Sequence, residues 1–249
     1  MKTNWDYTNL ADAYLNRPDY SEDAIDKMVS LAGLKAGDAV CDVGAGVAHL
    51  TLMLLDRRYR VNAVEPNDAM RANGIKRTEG REDIEWFEGT GENTGQADAA
   101  FEMVTFGSSF NVTDRQVTLK ETKRILKPGG WFACMWNHRD LNDAIQARIE
   151  AIIKDRVEGY GYGTRREDQT EEINKSGLFG DVAKIEGTVT HSQSIEDCTD
   201  AWRSHATLER QAGGKFGSVV DSIDDYLNSL GTAEIQIPYT TRIWVAQLK

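Results

Sequence analysis

Proline is scarce, at 4 residues in 249, and no stretch rich in Pro, Gly and Ser interrupts the chain. That excludes a low-complexity or linker-joined organisation. Cysteine is scarcer still: Cys41, Cys134 and Cys198 are odd in number, far apart and without Cys-x-x-Cys spacing. A disulfide framework and a zinc ribbon are both excluded, and reduced thiols are expected. The 4 histidines and the acids show no metal-ligand spacing, so no metal is expected. Long apolar runs are missing too. The longest, near Leu50 to Leu55, falls far short of the roughly 20 residues of a membrane span, and Met1 to Asp6 lacks the apolar core of a leader. A cytoplasmic protein with no membrane partner is expected. A basic stripe is also lacking: Lys+Arg number 29 against 40 Asp+Glu, for a net charge of −11. Without clustered cations to neutralise phosphates, nucleic acid is not the expected partner.

What is present is an alternation of apolar patterns over a length suited to one domain, residues 1–249. Ser21 can cap a helix with Ala24, Ile25, Met28, Val29 and Ala32 on one face, stopped by Gly33. Short strands follow at Ala39 to Val43, Val61 to Val64, Ile84 to Phe87, Phe101 to Phe106 and Trp131 to Trp136. Between them lie helices near Leu50 to Leu55, Asp68 to Ile75 and Asp114 to Leu126, with a turn at Lys127 to Gly130. Strands alternating with helices predict right-handed crossovers and a parallel sheet. After Asn137 the rhythm changes to a helix with Ile145, Ile149, Ile152 and Ile153, then a Gly/Tyr loop and a charged run. A strand near Val182 to Val189 and two amphipathic helices follow, the first carrying Ile195, Cys198, Trp202, His205 and Leu208. The alternation from Tyr239 to Val245 reads as a last strand. The expected fold is α/β: a doubly wound, Rossmann-like, seven-stranded, mostly parallel sheet with an antiparallel last strand and a helical cap. Its parts are an N-terminal helical flap (1–34), a cofactor-binding core (35–137), a cap insertion (138–181) and the last strands with intervening helices (182–249).

The most informative segment is Val40-Cys41-Asp42-Val43-Gly44-Ala45-Gly46-Val47-Ala48, a strand entering a glycine turn that opens a helix. Gly44 and Gly46 let the backbone approach a ligand closely, beside the free N–H groups of a helix N-terminus. Glu65, about 20 residues on and at the end of the second strand, stands where a doubly wound sheet places an acid for ribose hydroxyls. Asp42 directly before the turn would repel a pyrophosphate but suits a ligand bearing an ammonium and a sulfonium, and Ala48 replaces a third glycine. Alone, the turn could equally be a structural βα connection.

Asp42 to Gly46, Glu65-Pro66-Asn67-Asp68-Ala69-Met70, Glu88-Gly89-Thr90-Gly91-Glu92, Phe101 to Val104 and Leu126 to Gly130 occur in the order seen in class I S-adenosylmethionine-dependent methyltransferases. The chain resembles that family over about residues 35 to 137. With Tyr14 to Pro18 upstream it is similar to the trans-aconitate and quinone-biosynthesis subgroup. The resemblance implies that Asp42, Gly44, Ala45 and Gly46 meet the methionine part and that Glu65 and Pro66 meet the ribose. It places Met70 against adenine, Gly89, Thr90, Gly91 and Glu92 at its edge, and Phe106-Gly107 on the floor. Thr90 stands where the family often has Asp, and Asn111-Val112 where it often has His-Trp.

Beyond residue 137 the likeness is general, and the acceptor site is expected there. His138, Asn137, His205 and Tyr14 are the catalytic candidates, with Arg17, Tyr160, Tyr162 and Arg165 lining the pocket. Each has a plainer reading: His205 as a packed side chain on an apolar helix face, the tyrosine loop as a surface connection rather than a lid, Arg165-Arg166 as a solvated cluster paired with Glu167-Asp168 rather than an anion clamp. The expected activity is methyl transfer from S-adenosylmethionine to a small molecule by a monomer or homodimer. Two rivals stand beside it: use of the cofactor's aminocarboxypropyl arm, and a non-catalytic binding subunit.

Overall fold

A computed structural model describes residues 8, 11–203 and 205–249, the side chain of Arg165 excepted. Seven strands form one sheet in the order β3-β2-β1-β4-β5-β7-β6: β1 (Ala39–Val43), β2 (Arg60–Val64), β3 (Ile84–Phe87), β4 (Phe101–Gly107), β5 (Leu126–Arg139), β6 (Ala183–Ser194) and β7 (Glu234–Gln247). All neighbours pair in parallel except at β7, which is antiparallel to both β5 and β6. The reversal of strand order beside β1 opens the crevice in which doubly wound sheets bind ligands.

The helices form where caps and apolar spacing coincide. α1 (Glu22–Leu31) starts at Ser21, whose Oγ accepts from the Ala24 N–H, and buries Ile25, Met28 and Val29. α2 (His49–Asp56) follows Ala48, held at φ 75°. α3 (Asp68–Arg77) is capped by Asn67, and α4 (Arg115–Ile125) by Asp114. One sheet face packs α1 and α2 through Ile25, Met28, Leu54 and Met103. The other carries Phe106, Phe110, Phe132 and Phe179, with ring centroids 5.3–5.6 Å apart. Each such buried ring contributes about 1.5–3 kcal/mol relative to exposure, which makes the strand ends around the site rigid.

A third core lies beyond the carboxyl edge. α5 (Ala144–Arg156), α7 (Ile195–Arg203) and α9 (Phe216–Ser229) bury Ile149, Ile153, Trp202, Val219 and Ile223 against one another. The cap is therefore assembled from two inserts, one after β5 and one between β6 and β7, rather than from 138–181 alone. α6 (Thr170–Lys175) returns to the sheet and buries Ile173 in the aromatic layer. β6 continues past Val189 to Ser194 because its whole length pairs with β7, down to Ser194 opposite Glu234. The Lys127 to Gly130 turn is absorbed into β5, with a register shift against β4 between Phe101 and Met103. The helix expected through Ile195 to Leu208 is broken: α7 ends at Arg203, and His205, at φ −85° and ψ 85°, caps α8 (Ala206–Ala212). A ring nitrogen offered to a backbone N–H competes with continued helix.

Candidate active site

A cavity of about 580 Å³ runs from the glycine turn to the cap. At its first end, β1 ends in Gly44 and Gly46, both at positive φ (70° and 57°), where only glycine is unstrained. Gly44 also has no room for a side chain, since a Cβ would lie 2.8 Å from Ser109 Oγ, which itself donates to the Val43 carbonyl at 2.5 Å. Glu65 leaves β2 with its carboxylate pinned twice: Oε2 accepts from Gly46 N–H at 2.9 Å and Oε1 from Asn67 N–H at 2.8 Å. A carboxylate offers about four acceptor positions, so capacity for hydroxyl donors remains on a side chain whose orientation is set. Burial pushes the Glu65 carboxyl up, against the opposing pull of these two N–H groups.

Asp42 is 1% exposed and accepts from Thr51 Oγ1 at 2.7 Å and Thr105 Oγ1 at 3.0 Å. Burial pushes its pKa up to about 6 despite the two hydroxyls. Ala45, Pro66, Met70, Thr90, Gly91, Glu92, Phe106 and Gly107 line the same end. Glu92 Oε1 also accepts from Asp114 N–H at 2.7 Å, tying the loop after β3 to the start of α4. Gly89 does not line the cavity; a Cβ there would meet Thr94 O and Val64 Cγ1 at 2.9 Å, so its requirement is packing.

The N-terminal segment lies along this end as a strap. His49 joins Asp19 Oδ1 through Nδ1 (2.7 Å) and the Tyr14 carbonyl through Nε2 (2.8 Å). The hydrogen bond to His49 holds the Asp19 carboxyl below the usual range. Asn137, expected as catalytic, is spent on the same strap. Its Nδ2 donates to Asp19 O at 2.8 Å and its Oδ1 accepts from Thr241 Oγ1 at 2.5 Å.

Of the candidates for the acceptor end, Tyr14, Arg17, Asn137, His138, Tyr162 and His205 are brought to the cavity. Tyr160 is not: its ring is buried in the cap core, edge-on to Tyr162 at 5.5 Å. The side chain of Arg165 lies outside the described part. His205 Nδ1 accepts from Leu208 N–H at 3.1 Å. In the neutral ring that leaves the proton on Nε2, and a donor is not a base. Its ring stacks on Trp202 at 5.1 Å. Arg166 also lines this end, and so do Arg139, Gln193 and Tyr239, which the sequence reading missed. Arg139 follows His138 at the carboxyl end of a central strand, the position at which such sheets bind ligands, and was legible on that ground. Arg166 was read as paired with its acidic neighbours. Instead Asp168 bonds Lys184 and, at 2.9 Å, Trp244 Nε1, while Arg166 lies 3.8 Å over the Tyr162 ring. Among the described residues no group of three or more His, Cys, Asp and Glu could hold a metal ion, and no helix is long and apolar enough to cross a membrane.

Comparison with known proteins gives the chain's relatives and its family. The chain is 32% identical over 110 residues to a ubiquinone/menaquinone biosynthesis C-methyltransferase of Rubrivivax gelatinosus, covering 44% of this chain and 43% of that protein. It is 28% identical over 178 residues to the corresponding Zymomonas mobilis enzyme, covering 66% and 72%. The chain spans less than half the length of the first curated relatives it matches. Its fold is shared with a phosphoethanolamine N-methyltransferase of Haemonchus contortus solved with S-adenosylhomocysteine, at TM-score 0.57 and 14% identity, covering 96% of this chain and 57% of that one. The sequence profile of the ubiE/COQ5 methyltransferases matches residues 22–155, from α1 through the end of β5 into α5, and the chain belongs to the ubiE/COQ5 methyltransferase family.

Proposed function

We propose that this protein binds S-adenosylmethionine between Gly44-Gly46, Glu65 and Met70 and transfers its methyl group to a small molecule enclosed beneath the cap. The observation that carries the reading is the single continuous cavity. Its one end is built to fit a nucleoside with a cationic tail, and its other end is closed by cap residues. The residues present fit the cofactor: a pinned carboxylate with spare acceptor capacity, a glycine turn with no side chains in the way, and the flexible Met70, 5% exposed, for a flat ring. When bound, the cofactor supplies an electrophilic methyl group on a sulfonium.

The work of the chain is then to hold nucleophile and methyl in line and dry, since orientation supplies most of the acceleration in such a displacement. The strap closes the cofactor end, through His49, Asp19 and Asn137. A nucleophile that must lose a proton meets His138, buried at the end of β5, as its acceptor. Incubation with labelled cofactor and a metabolite set, read by mass spectrometry, tests the reaction. S-adenosylhomocysteine with a methylated product is the expected outcome; methylthioadenosine would mean attack on the aminocarboxypropyl arm, and no calorimetric binding of the cofactor at tens of micromolar would remove the reading altogether.

A further inference from the structure

The carboxylates that line the cavity are gathered at one end, while its arginines, Arg17, Arg139, Arg166 and Arg210, are spread more widely. Its carboxylates, Asp42, Glu65 and Glu92, all sit at the end formed by β1, β2 and the loop after β3. At the other end Arg139 and Arg166 face the cavity, and among the described residues neither makes an ion pair. In a chain with 40 acids and 29 bases a partner would be easy to supply. Arg57 has two, Glu22 and Asp26, and Arg124 has Asp98 and Glu121.

The two guanidiniums are held by their flat faces instead. Arg139 lies 4.2 Å over Trp202 and 5.8 Å from the Tyr239 ring, and its buried Nε has no hydrogen-bond partner. Arg166 lies over Tyr162 and is tied to its neighbour by a bond from Nη2 to the Arg139 carbonyl at 3.3 Å. Stacking fixes each plane; apart from that bond and a side-chain hydrogen bond between Arg139 and Tyr239, the in-plane N–H groups are left to form the fork that matches a carboxylate. A cation removed from water without a counter-ion is costly, and a ring face returns only part of that cost. The missing charge fits a ligand.

We propose that the methyl acceptor is a small carboxylate, gripped by Arg139 and Arg166 at the cap end of the cavity; this rests on the cofactor reading above. The carboxylate anchors the acceptor beneath the cap while the opposite end of the molecule reaches toward the cofactor. The anchored anion also supplies a counter-charge to the two arginines.

The test is calorimetric titration of protein saturated with S-adenosylhomocysteine. The probes are matched acids and carboxamides (benzoate and benzamide, 4-hydroxybenzoate and 4-hydroxybenzamide, fumarate and fumaramide), with hydroquinone as a neutral control. At least one acid is expected to bind ten-fold or more tighter than its amide. Arg139→Gln and Arg166→Gln should each weaken that acid ten-fold or more, and Arg139→Lys should recover part of the loss. Acids no tighter than their amides, hydroquinone tighter than every acid, or an acid affinity untouched in both Gln variants would overturn the proposal. Cofactor binding is measured on every sample. Its absence in the wild-type protein would sink the cofactor reading, whereas its presence together with indifference to charge would sink only the carboxylate. Should Arg139→Gln fail to bind cofactor through misfolding, the Arg166→Gln result decides.

Discussion

Glu65 performs two tasks with one carboxylate. It braces the glycine turn by accepting from Gly46 N–H and Asn67 N–H, and it presents the remaining lone pairs to the cavity. Glu65→Ala should therefore weaken S-adenosylmethionine binding by about 1–3 kcal/mol, the scale of losing a charged hydrogen-bond partner. Calorimetry on the folded variant reads this directly, and an unchanged dissociation constant would remove Glu65 from the site. Asp42 carries the opposite balance. Its pKa is raised from 3.8 to about 6 by burial, so between those values the folded state binds more protons than the unfolded state. Stability contributed by this group thus falls as pH rises from about 4 to about 6 and is flat above, at a cost on the order of 3 kcal/mol. Asp42→Asn keeps an acceptor and gains a donor for Thr51 and Thr105. Its stability gain over wild type should be small near pH 4, grow through pH 6 and then level off in urea denaturation. A gain independent of pH would mean that burial does not raise the Asp42 pKa above its unfolded value, and a gain still growing well above pH 6 would mean that the carboxyl stays protonated in the folded protein.

At the scale of elements, the loop before the 3-10 helix Gly163–Arg166 is tied to α8 by a reciprocal pair. Gly161 N–H donates to Gln211 Oε1 at 3.0 Å, and Gln211 Nε2 donates to the Gly161 carbonyl at 2.8 Å. These exposed bonds join the two inserts of the cap. Gln211→Ala should lower the local opening energy by about 1–2 kcal/mol. Hydrogen exchange would then speed up over residues 158–166 while β1 and β4 stay protected; equal protection in both proteins would mean that the loop is held elsewhere. The core strands and the Asp42 to Gly46 turn were legible because their signals are local: apolar runs of strand length, glycines where φ is positive, Asn67 and Asp114 at helix starts. The cap was not. α5 and α9 are separated by some sixty residues, and the apolar face of each names no partner. His205 fitted helical spacing by position, yet its Nδ1 chose a cap bond; Arg166 sat beside two acids in sequence, yet β6 supplied Lys184 to one of them. Both outcomes are tertiary, so periodicity and nearest-neighbour charge could not announce them.

For the whole molecule, a net charge of −11 surrounds a cavity whose inner end is cationic. At low ionic strength, where the screening length is about 30 Å, an approaching anion feels the repulsion of the entire surface. At about 0.15 M salt that length is roughly 8 Å, and only the charges lining the cavity, Arg139 and Arg166 among them, remain in range of an entering anion. A carboxylate acceptor should therefore associate faster with cofactor-saturated protein as salt rises from about 0.01 to 0.15 M, the reverse of the usual loss of electrostatic steering. Its carboxamide should show no such trend. Stopped-flow binding, following the fluorescence of Trp202 and Trp136 beside the site, measures both rates. An acid whose association slows with added salt would place the arginine field, not the acidic surface, in control of entry, and would mean that the cavity draws its anion from well beyond the mouth.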